Sequence, residues 1–473
     1  MEEWARRKLQ QLRKETGEPL EVKTSGGNHY LYMSTTVWSK EEHKRKKISR
    51  YKGKLTEDGL IEGKRTKNFA RTVYDYGNAR LLFDLSSELI PPLRQAFPDE
   101  WQEILAMGIV RTLRPTPLKL MKDVWEKLYL CRELSPSLSP NTLSEKLRRI
   151  GSDWEDQREF FAHLMSGSKQ LVFDLTCIFS RSENLRLAEK GHNADHMYLK
   201  QINLALFFSL DKGTPVMLRP LPGSVRELKS IKLLLDEWKL KSAILVADRG
   251  LASYVLPKLL REKKMRFVVP LKRNFKIIDY DMDLKGCFVY RDRGINWGRK
   301  RVQGRFLYLF EDVRLRAEEE TTFIEMIGEG KRKRKDLVDA RKRFGRIAIL
   351  SNIDDDGERI YLLYKEREEV ELAFDAMKNE LEEDKTYLSD DDAVRGHFFV
   401  AFVSLYLYFR VLELLRKAEL IRKVSVNELL FNLSRVSLAY HTDGTKRLTE
   451  IPAKVERVEK ELGLKLFPIE LRS

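Results

Sequence analysis

The chain has 473 residues, enough for two or three domains that each bury a hydrophobic core. Its 88 Lys and Arg residues outnumber its 72 Asp and Glu residues, and the net charge of +16 with a pI near 9.4 indicates a polyanionic partner. Charge alone does not distinguish DNA from RNA or an anionic membrane. The three cysteines lie far apart and form no CxxC pair, which argues against a disulfide framework and a zinc knuckle.

Two features bear on the cellular location of the chain. Residues 1–15 lack the apolar core of a signal peptide, and the longest apolar run, Phe398 to Phe409, is too short to span a bilayer. We therefore expect a soluble cytoplasmic protein with no membrane partner. The apolar run is expected to form a buried helix.

The first 75 residues predict a charged helix followed by strands. A Gly-Gly turn precedes the alternating segment His29 to Val37, which is typical of a strand. The run Lys44 to Lys54 is dense in Lys and Arg, and Tyr51 and the earlier Trp38 interleave with these basic residues. This pattern favours phosphate contacts combined with base or sugar packing, although a solvated hairpin would look similar.

Residues 78–150 predict helices separated by proline-rich breaks. The last of them, Ser139 to Arg149, begins with an N-cap serine and has a basic face. It fits the recognition helix of a helix-turn-helix motif, although capped basic helices are common. We therefore predict a largely helical N-terminal DNA-binding region.

After this region, short strands alternate with helices. The chain order is three strands, a helix, a strand, a helix and a strand, and it predicts an α/β fold with an RNase H-like core. We expect a mixed five-stranded sheet with flanking helices. The predicted segments are the DNA-binding region (1–165), the first part of the core (166–274), a strand-rich insertion (275–345), the second part of the core (346–440) and a tail (441–473).

The stretch Tyr361 to Glu383 predicts one helix that carries most of the candidate functional groups. It contains no Gly or Pro, and Asp354 to Asp356 offer N-cap oxygens before it. At 100° per residue, one stripe of this helix holds Tyr364, Arg367, Glu371 and Lys378. A carboxylate flanked by donors suits a phosphodiester, although a solvated, salt-bridged face has the same composition.

Two further acids are placed on predicted core strands. Asp174 lies inside the strand Leu171 to Cys177, and Asp248 directly follows the strand Ser242 to Ala247. Together with Glu371, they would repel one another unless cations lay between them. Because hard oxygen ligands favour Mg²⁺ or Mn²⁺, the three acids predict a site for two such ions, provided that folding brings them together.

These motifs resemble one branch of the DDE transposases of insertion sequences, related to insertion sequence family four. The spacing that carries the resemblance is Tyr364, two residues, Arg367, three residues, Glu371, six residues, Lys378. Similar blocks, in the same order as in the family, are FDLT around Asp174, VADRG around Asp248, and the segment that starts at Gly191. Glu368 departs from the pattern, because many members have Trp there.

The resemblance implies that Asp174, Asp248 and Glu371 bind two Mg²⁺ or Mn²⁺ ions, and that Tyr364, Arg367 and Lys378 contact DNA near the cut. It implies a prokaryotic, nucleoid-associated transposase. Such an enzyme binds terminal inverted repeats, pairs two ends as a homodimer, cleaves them and joins the 3′ ends to target DNA. Two alternatives are an RNase H-like structure-specific nuclease and a non-catalytic DNA-binding relic. The Tyr-Arg-Glu-Lys spacing and the insertion argue against the nuclease, and the intact acids against the relic.

Overall fold

The structure is a computed structural model. It describes residues 1–39, 44–62, 69–180, 182–191, 199–238, 243–248, 255–380, 388 and 390–472. The chain forms two compact units. Unit 1 contains residues 1–73 and 439–447, and unit 2 contains residues 74–438 and 448–473. Whether the predicted boundaries at 165, 274, 345 and 440 separate functional domains stays a prediction.

Unit 1 begins with a helix, as predicted, followed by an antiparallel sheet. Its elements are α1 (Glu3–Thr16), β1 (Leu20–Ser25), β2 (Asn28–Ser39), β3 (Lys44–Thr56) and β4 (Gly59–Glu62), and the strands lie in the order β1-β2-β3-β4. Leu9, Leu20 and Leu31 form a small buried core between α1 and the sheet. A second sheet has the order β17-β16-β5, from β5 (Ala70–Asp75), β16 (Ser437–His441) and β17 (Lys446–Leu448).

Unit 2 opens with the predicted helices. They are α2 (Gly77–Leu85), α3 (Ile90–Ala96), α4 (Trp101–Leu113), α5 (Met121–Trp125), α6 (Pro140–Ser152) and α7 (Trp154–Met165). Ser139 caps α6, because its hydroxyl accepts a hydrogen bond from the Thr142 N–H at 3.3 Å. The basic face of α6 is partly neutralised within the fold. Lys146 pairs with Glu103 at 3.0 Å, and Arg149 pairs with Glu100 at 3.1 Å.

Apart from the two-residue strand Glu189–Lys190, the core strands have the predicted chain order. They are β6 (Gln170–Phe179), β7 (Glu189–Lys190), β8 (Lys200–Ser209), β9 (Thr214–Pro222), β10 (Ile244–Ala247) and β11 (Arg266–Pro270), with helices α8 (Glu227–Glu237) and α9 (Leu256–Glu262) before and after β10. The longer strands lie in the order β9-β8-β6-β10-β11. The pairs β9-β8 and β8-β6 are antiparallel, whereas β10 runs parallel to both β6 and β11. This mixed pattern agrees with the predicted α/β class.

The sheet is larger than the five strands expected. Residues after β11 form β12 (Gly286–Tyr290), β13 (Arg293–Val302), β14 (Arg305–Asp312), α10 (Val313–Gly328), α11 (Leu337–Arg341) and β15 (Arg346–Ser351). Strand β15 pairs with β11, and β14, β13 and β12 continue outward, so that the mixed sheet has ten strands. The predicted insertion is therefore strand-rich only in its first half. Its strands pair with the free edge of the core, which would otherwise expose unpaired backbone groups.

The prediction of a single helix from Tyr361 to Glu383 was wrong. The chain forms α12 (Gly357–Lys365), α13 (Glu368–Asp375) and a π-helical turn (Ala376–Glu380), and residues 381–387 lie outside the described part. Between α12 and α13 the backbone hydrogen bonds join residues three apart, as in a 3-10 turn. One of them runs from the Glu369 N–H to the Glu366 carbonyl at 3.1 Å. Like charges three residues apart, as at these two glutamates, disfavour a regular helix. The predicted N-cap is confirmed, because Asp356 accepts from the Glu358 N–H at 2.8 Å.

The remaining helices are α14 (Asp391–Lys417), α15 (Val426–Leu433) and α16 (Ala453–Glu461). By length and composition α14 could cross a membrane, but 78% of its most apolar 18-residue stretch is buried inside the protein. It packs against α4, α6 and β9, and its phenylalanines meet Phe160 and Phe161 of α7. The prediction that Phe398 to Phe409 forms a buried helix is confirmed.

Candidate functional site

Asp174 lies on β6, in the interior of the sheet. The preceding residues Leu171, Val172 and Phe173 are buried, and Asp174 is half-buried. One oxygen of its carboxylate accepts a hydrogen bond from the Leu175 N–H at 2.8 Å. Because the residues before it are buried in the core, the position of Asp174 along β6 is fixed by the packing of the strand.

Asp248 stands beside Asp174 because of the strand register. In the parallel pair β6-β10, Ala247 is opposite Phe173. Asp248 follows Ala247 and Asp174 follows Phe173, so the two acids are at the same level. Neighbouring strands are about 4.8 Å apart, and side chains at the same level of parallel strands point to the same side. All four residues of β10 are buried, and the chain leaves the sheet at Asp248. Two sequence-distant carboxylates thus become neighbours.

Arg367 connects Asp248 to Glu371. Glu371 lies on α13, which packs against β6 and β8. The Arg367 guanidinium donates to one oxygen of Asp248 and, at 2.8 Å, to Oε1 of Glu371. Burial by itself would lower the pKa of Arg367, but the negative charges around it, Asp248 first and then others that include Glu371 and Asp174, raise it. The guanidinium is therefore a fixed positive charge among the three predicted acids.

The other two predicted residues surround this cluster. Tyr364 is buried, and the Arg367 guanidinium carbon lies 5.5 Å from the centre of its ring. Lys378, on the π-helical turn, donates to the Thr176 hydroxyl at 2.8 Å. The packing of Tyr364 supports the position of Arg367, whereas Lys378 ties its own segment to β6. The assignment of both residues to DNA contact stays a prediction.

Thr176 was not recognised in the sequence analysis. It lies two residues after Asp174 on β6, and strand periodicity places both side chains on the same face of the sheet. That periodicity was the available signal. A threonine in a mostly apolar strand is nevertheless unremarkable, and its contact to Lys378 joins residues 202 positions apart in the chain.

The donor chemistry of the cluster fits a hard divalent cation. All three acids offer carboxylate oxygens, the ligands that Mg²⁺ and Mn²⁺ prefer. Within the described residues, however, no three His, Cys, Asp or Glu side chains lie close enough together to hold a metal ion. Arg367 takes the position between Asp248 and Glu371 that a cation would take. Metal ligation by the three acids therefore stays a prediction, and it requires Arg367 to move.

Comparison with known proteins shows the family of this chain. A model described as "Transposase DDE domain" matches residues 169–407, just over half of the chain, and this interval includes all six predicted site residues. No curated protein matches the chain. Seven chains of solved structures match. One is the cryo-EM structure of a piggyBac transposase synaptic complex with hairpin DNA, at 13% identity and a TM-score of 0.41, covering 78% of this chain and 82% of that chain. This likeness is too distant to carry an argument about the site.

Proposed function

Because the chain belongs to the transposase DDE domain family, we propose that it is the transposase of a prokaryotic insertion sequence in the family-four branch. It binds the terminal inverted repeats, cleaves the DNA ends and joins their 3′ ends to target DNA. The observation that carries the proposal is the register that brings Asp174 on β6 beside Asp248, which directly follows the parallel strand β10, with Glu371 joined to Asp248 through Arg367. The RNase H-like description of the core is supported by the strand order β9-β8-β6-β10-β11.

DDE transposases use divalent metal ions, and in this chain Asp174, Asp248 and Glu371 would hold two Mg²⁺ or Mn²⁺ ions. Ions bound there would supply Lewis-acid chemistry for an in-line displacement at phosphorus, favouring the attacking oxygen and the leaving oxygen. The three carboxylates come from different parts of the core, because Asp174 lies on β6, Asp248 directly follows β10 and Glu371 lies on α13. The cationic side chains supply donors for the phosphate oxygens on either side of the cut.

Arg367 has two sets of acceptors in this proposal. Without DNA it forms ion pairs with both Asp248 and Glu371. A DNA phosphate offers the planar guanidinium a bidentate partner of equal quality, so binding of the element end draws Arg367 away from the acids. Lys378 would contact a second phosphate, and its hydrogen bond to Thr176 supports this role by holding the side chain beside β6. DNA binding and assembly of the metal site are thereby coupled through one side chain.

The partners proposed are duplex DNA, as element end and target, and a second copy of the chain in the paired-end complex. The excess of basic residues supports the first. We place the protein in the cytoplasm of a prokaryote, associated with the nucleoid.

The test is excision and joining of the gene's own flanking DNA. A selectable marker is placed between the segments that border the gene in its genome, and the protein is supplied together with a target plasmid. We expect loss of the marker from the donor and its appearance in the target between short direct repeats. Cleavage without joining would favour the nuclease, and DNA binding without cleavage would favour the relic. The Glu371→Gln protein is the matched inactive control.

A further inference from the structure

We propose that the outer half of the β2-β3 hairpin is a DNA-binding ribbon that enters the major groove of duplex DNA. Strand β1 pairs with residues 28–33 of β2, and β4 pairs with residues 53–56 of β3. Beyond these partners, Ser34–Ser39 and Lys44–Ser49 have no other strand partner among the described residues. The Ser34 N–H donates to the Pro19 carbonyl at 2.7 Å, and Lys47 and Ser49 contact Glu21. We call these two segments the basic ribbon. At about 3.3 Å per residue they extend roughly 20 Å past the four-stranded part of the sheet.

The charge of the two strands is unbalanced. Residues 28–39 and 44–56 contain seven Lys or Arg residues and no Asp or Glu. In the described part of the chain, Arg45 and Arg50 have no acidic partner, and both are exposed. Lys47 is paired with Glu21 of β1, and this contact, mainly through its hydrogen bond, lowers the pKa of Glu21. A two-stranded ribbon is only marginally stable alone in water, and one that concentrates positive charge gains most from a polyanion.

The two faces of the basic ribbon follow from its register. Directly opposed residues share a face, so one face carries the pairs Trp38 with Arg45, Thr36 with Lys47, and Ser34 with Ser49. The last pair confirms the assignment, because the two hydroxyl oxygens are 3.3 Å apart. The opposite face carries Thr35 with Ile48 and Met33 with Arg50. Both faces therefore combine a cation with uncharged side chains.

This distribution favours a groove over a membrane. Trp38 is 57% exposed and Ile48 is 50% exposed, but they lie on opposite faces, so neither face offers an apolar stripe to lipid. A groove has phosphates along both walls and base edges at its floor. The major groove of B-DNA is about 12 Å wide and admits a two-stranded ribbon. In such a complex β3 would run along one wall of the groove, where the long side chains of Arg45 and Arg50 would reach phosphates, and the hydroxyl-bearing face would lie toward the bases.

The inference rests on the proposed function, because a transposase must hold its element end at places other than the catalytic cluster. The test measures fluorescence anisotropy of a 30-base-pair labelled duplex with the 473-residue protein between 50 and 300 mM salt. The variant is Arg45→Ala with Arg50→Ala. The matched control is Arg6→Ala with Lys14→Ala, which removes the same charge from the exposed face of α1 in the same unit.

We expect the ribbon variant to bind at least about tenfold more weakly, with the salt slope reduced by about two, because each phosphate contact contributes about 0.9 to that slope. The control should bind like the parent. A second duplex, in which 5-hydroxymethylcytosine carries glucose in the major groove, should lower the affinity of the parent but scarcely that of the ribbon variant. Both variants change exposed residues, and equal melting temperatures verify that they fold.

Three results would overturn the inference. The first is that the ribbon variant and the control bind duplex DNA with equal affinity. The second is that glucosylation lowers the affinity of the parent and of the ribbon variant by the same factor. The third is that the ribbon variant loses binding to phosphatidylserine vesicles or to single-stranded RNA but keeps its affinity for duplex DNA. Failure of the proposed function looks different. In that case the parent protein would bind DNA through the basic ribbon but would neither excise nor join the flanking DNA.

Discussion

Among single residues, the three acids can be tested by substitutions that keep shape and remove charge. Asp174→Asn, Asp248→Asn and Glu371→Gln should each reduce cleavage of an element-end duplex by orders of magnitude, because each removes a charged ligand from one shared site. A double variant should be scarcely worse than a single one. DNA affinity should persist in a gel shift, since it rests on basic residues elsewhere. Near-normal cleavage by any variant would remove that residue from the site.

Arg367 gives a second test at the same scale, because it lies between two of the acids. Arg367→Ala should weaken binding of the element end through loss of a charge-assisted donor. The affinity of the Arg367→Ala protein for Mn²⁺ should equal or exceed that of the parent, because the guanidinium no longer competes with the metal ion for the carboxylates. Titration followed by electron paramagnetic resonance of free Mn²⁺ measures this. Lys378→Ala is the matched variant: it loses the same charge, but its described contact is Thr176 and not an acid. A collapse of Mn²⁺ affinity with unchanged end binding would contradict the assigned role.

At the scale of elements, the crossing of α6 and α14 depends on two glycines. A Cβ atom added at Gly396 would collide with the Leu147 carbonyl, and one added at Gly151 with the backbone at Asp392. Gly396→Ala should therefore destabilise unit 2 by about 1–3 kcal/mol or more, as overpacking does, and lower the melting temperature. Gly328→Ala is the control, since that position on α10 has nothing within 4 Å of an added Cβ. Similar melting temperatures for the two variants in differential scanning fluorimetry would show that the crossing can open.

At the scale of the whole molecule, the net charge of +16 predicts electrostatic and distributed DNA binding. Basic residues recur in β3, in the segment after α10 and around α13, so many phosphates are neutralised together. The logarithm of the affinity should fall linearly and steeply with the logarithm of salt concentration. Glu371→Gln should have the same slope as the parent, because it adds no phosphate contact. A flat dependence between 50 and 200 mM salt would be inconsistent with this prediction.

Local patterns in the sequence were sufficient to predict much of the core. The strands around Asp174 and before Asp248, the caps at Ser139 and Asp356, and the buried helix around Phe398 all depend on residues close in the chain. These features follow from periodicity and hydrogen bonding over a few residues. The acids could be named as candidates for the same reason, since each stands at a recognisable position on a strand or helix.

Only the tertiary structure decided how these pieces meet. The pairing of β15 with β11, which extends the sheet to ten strands, joins residues about 80 positions apart. The contact of Arg367 with Asp248 spans 119 positions. Arg367 lies at the break between α12 and α13, and a sequence analysis that assumed one regular helix with 100° per residue did not include this break. Periodicity reports which face of an element is apolar, whereas the partner of a side chain depends on the packing of distant elements, and that information is distributed over the whole chain.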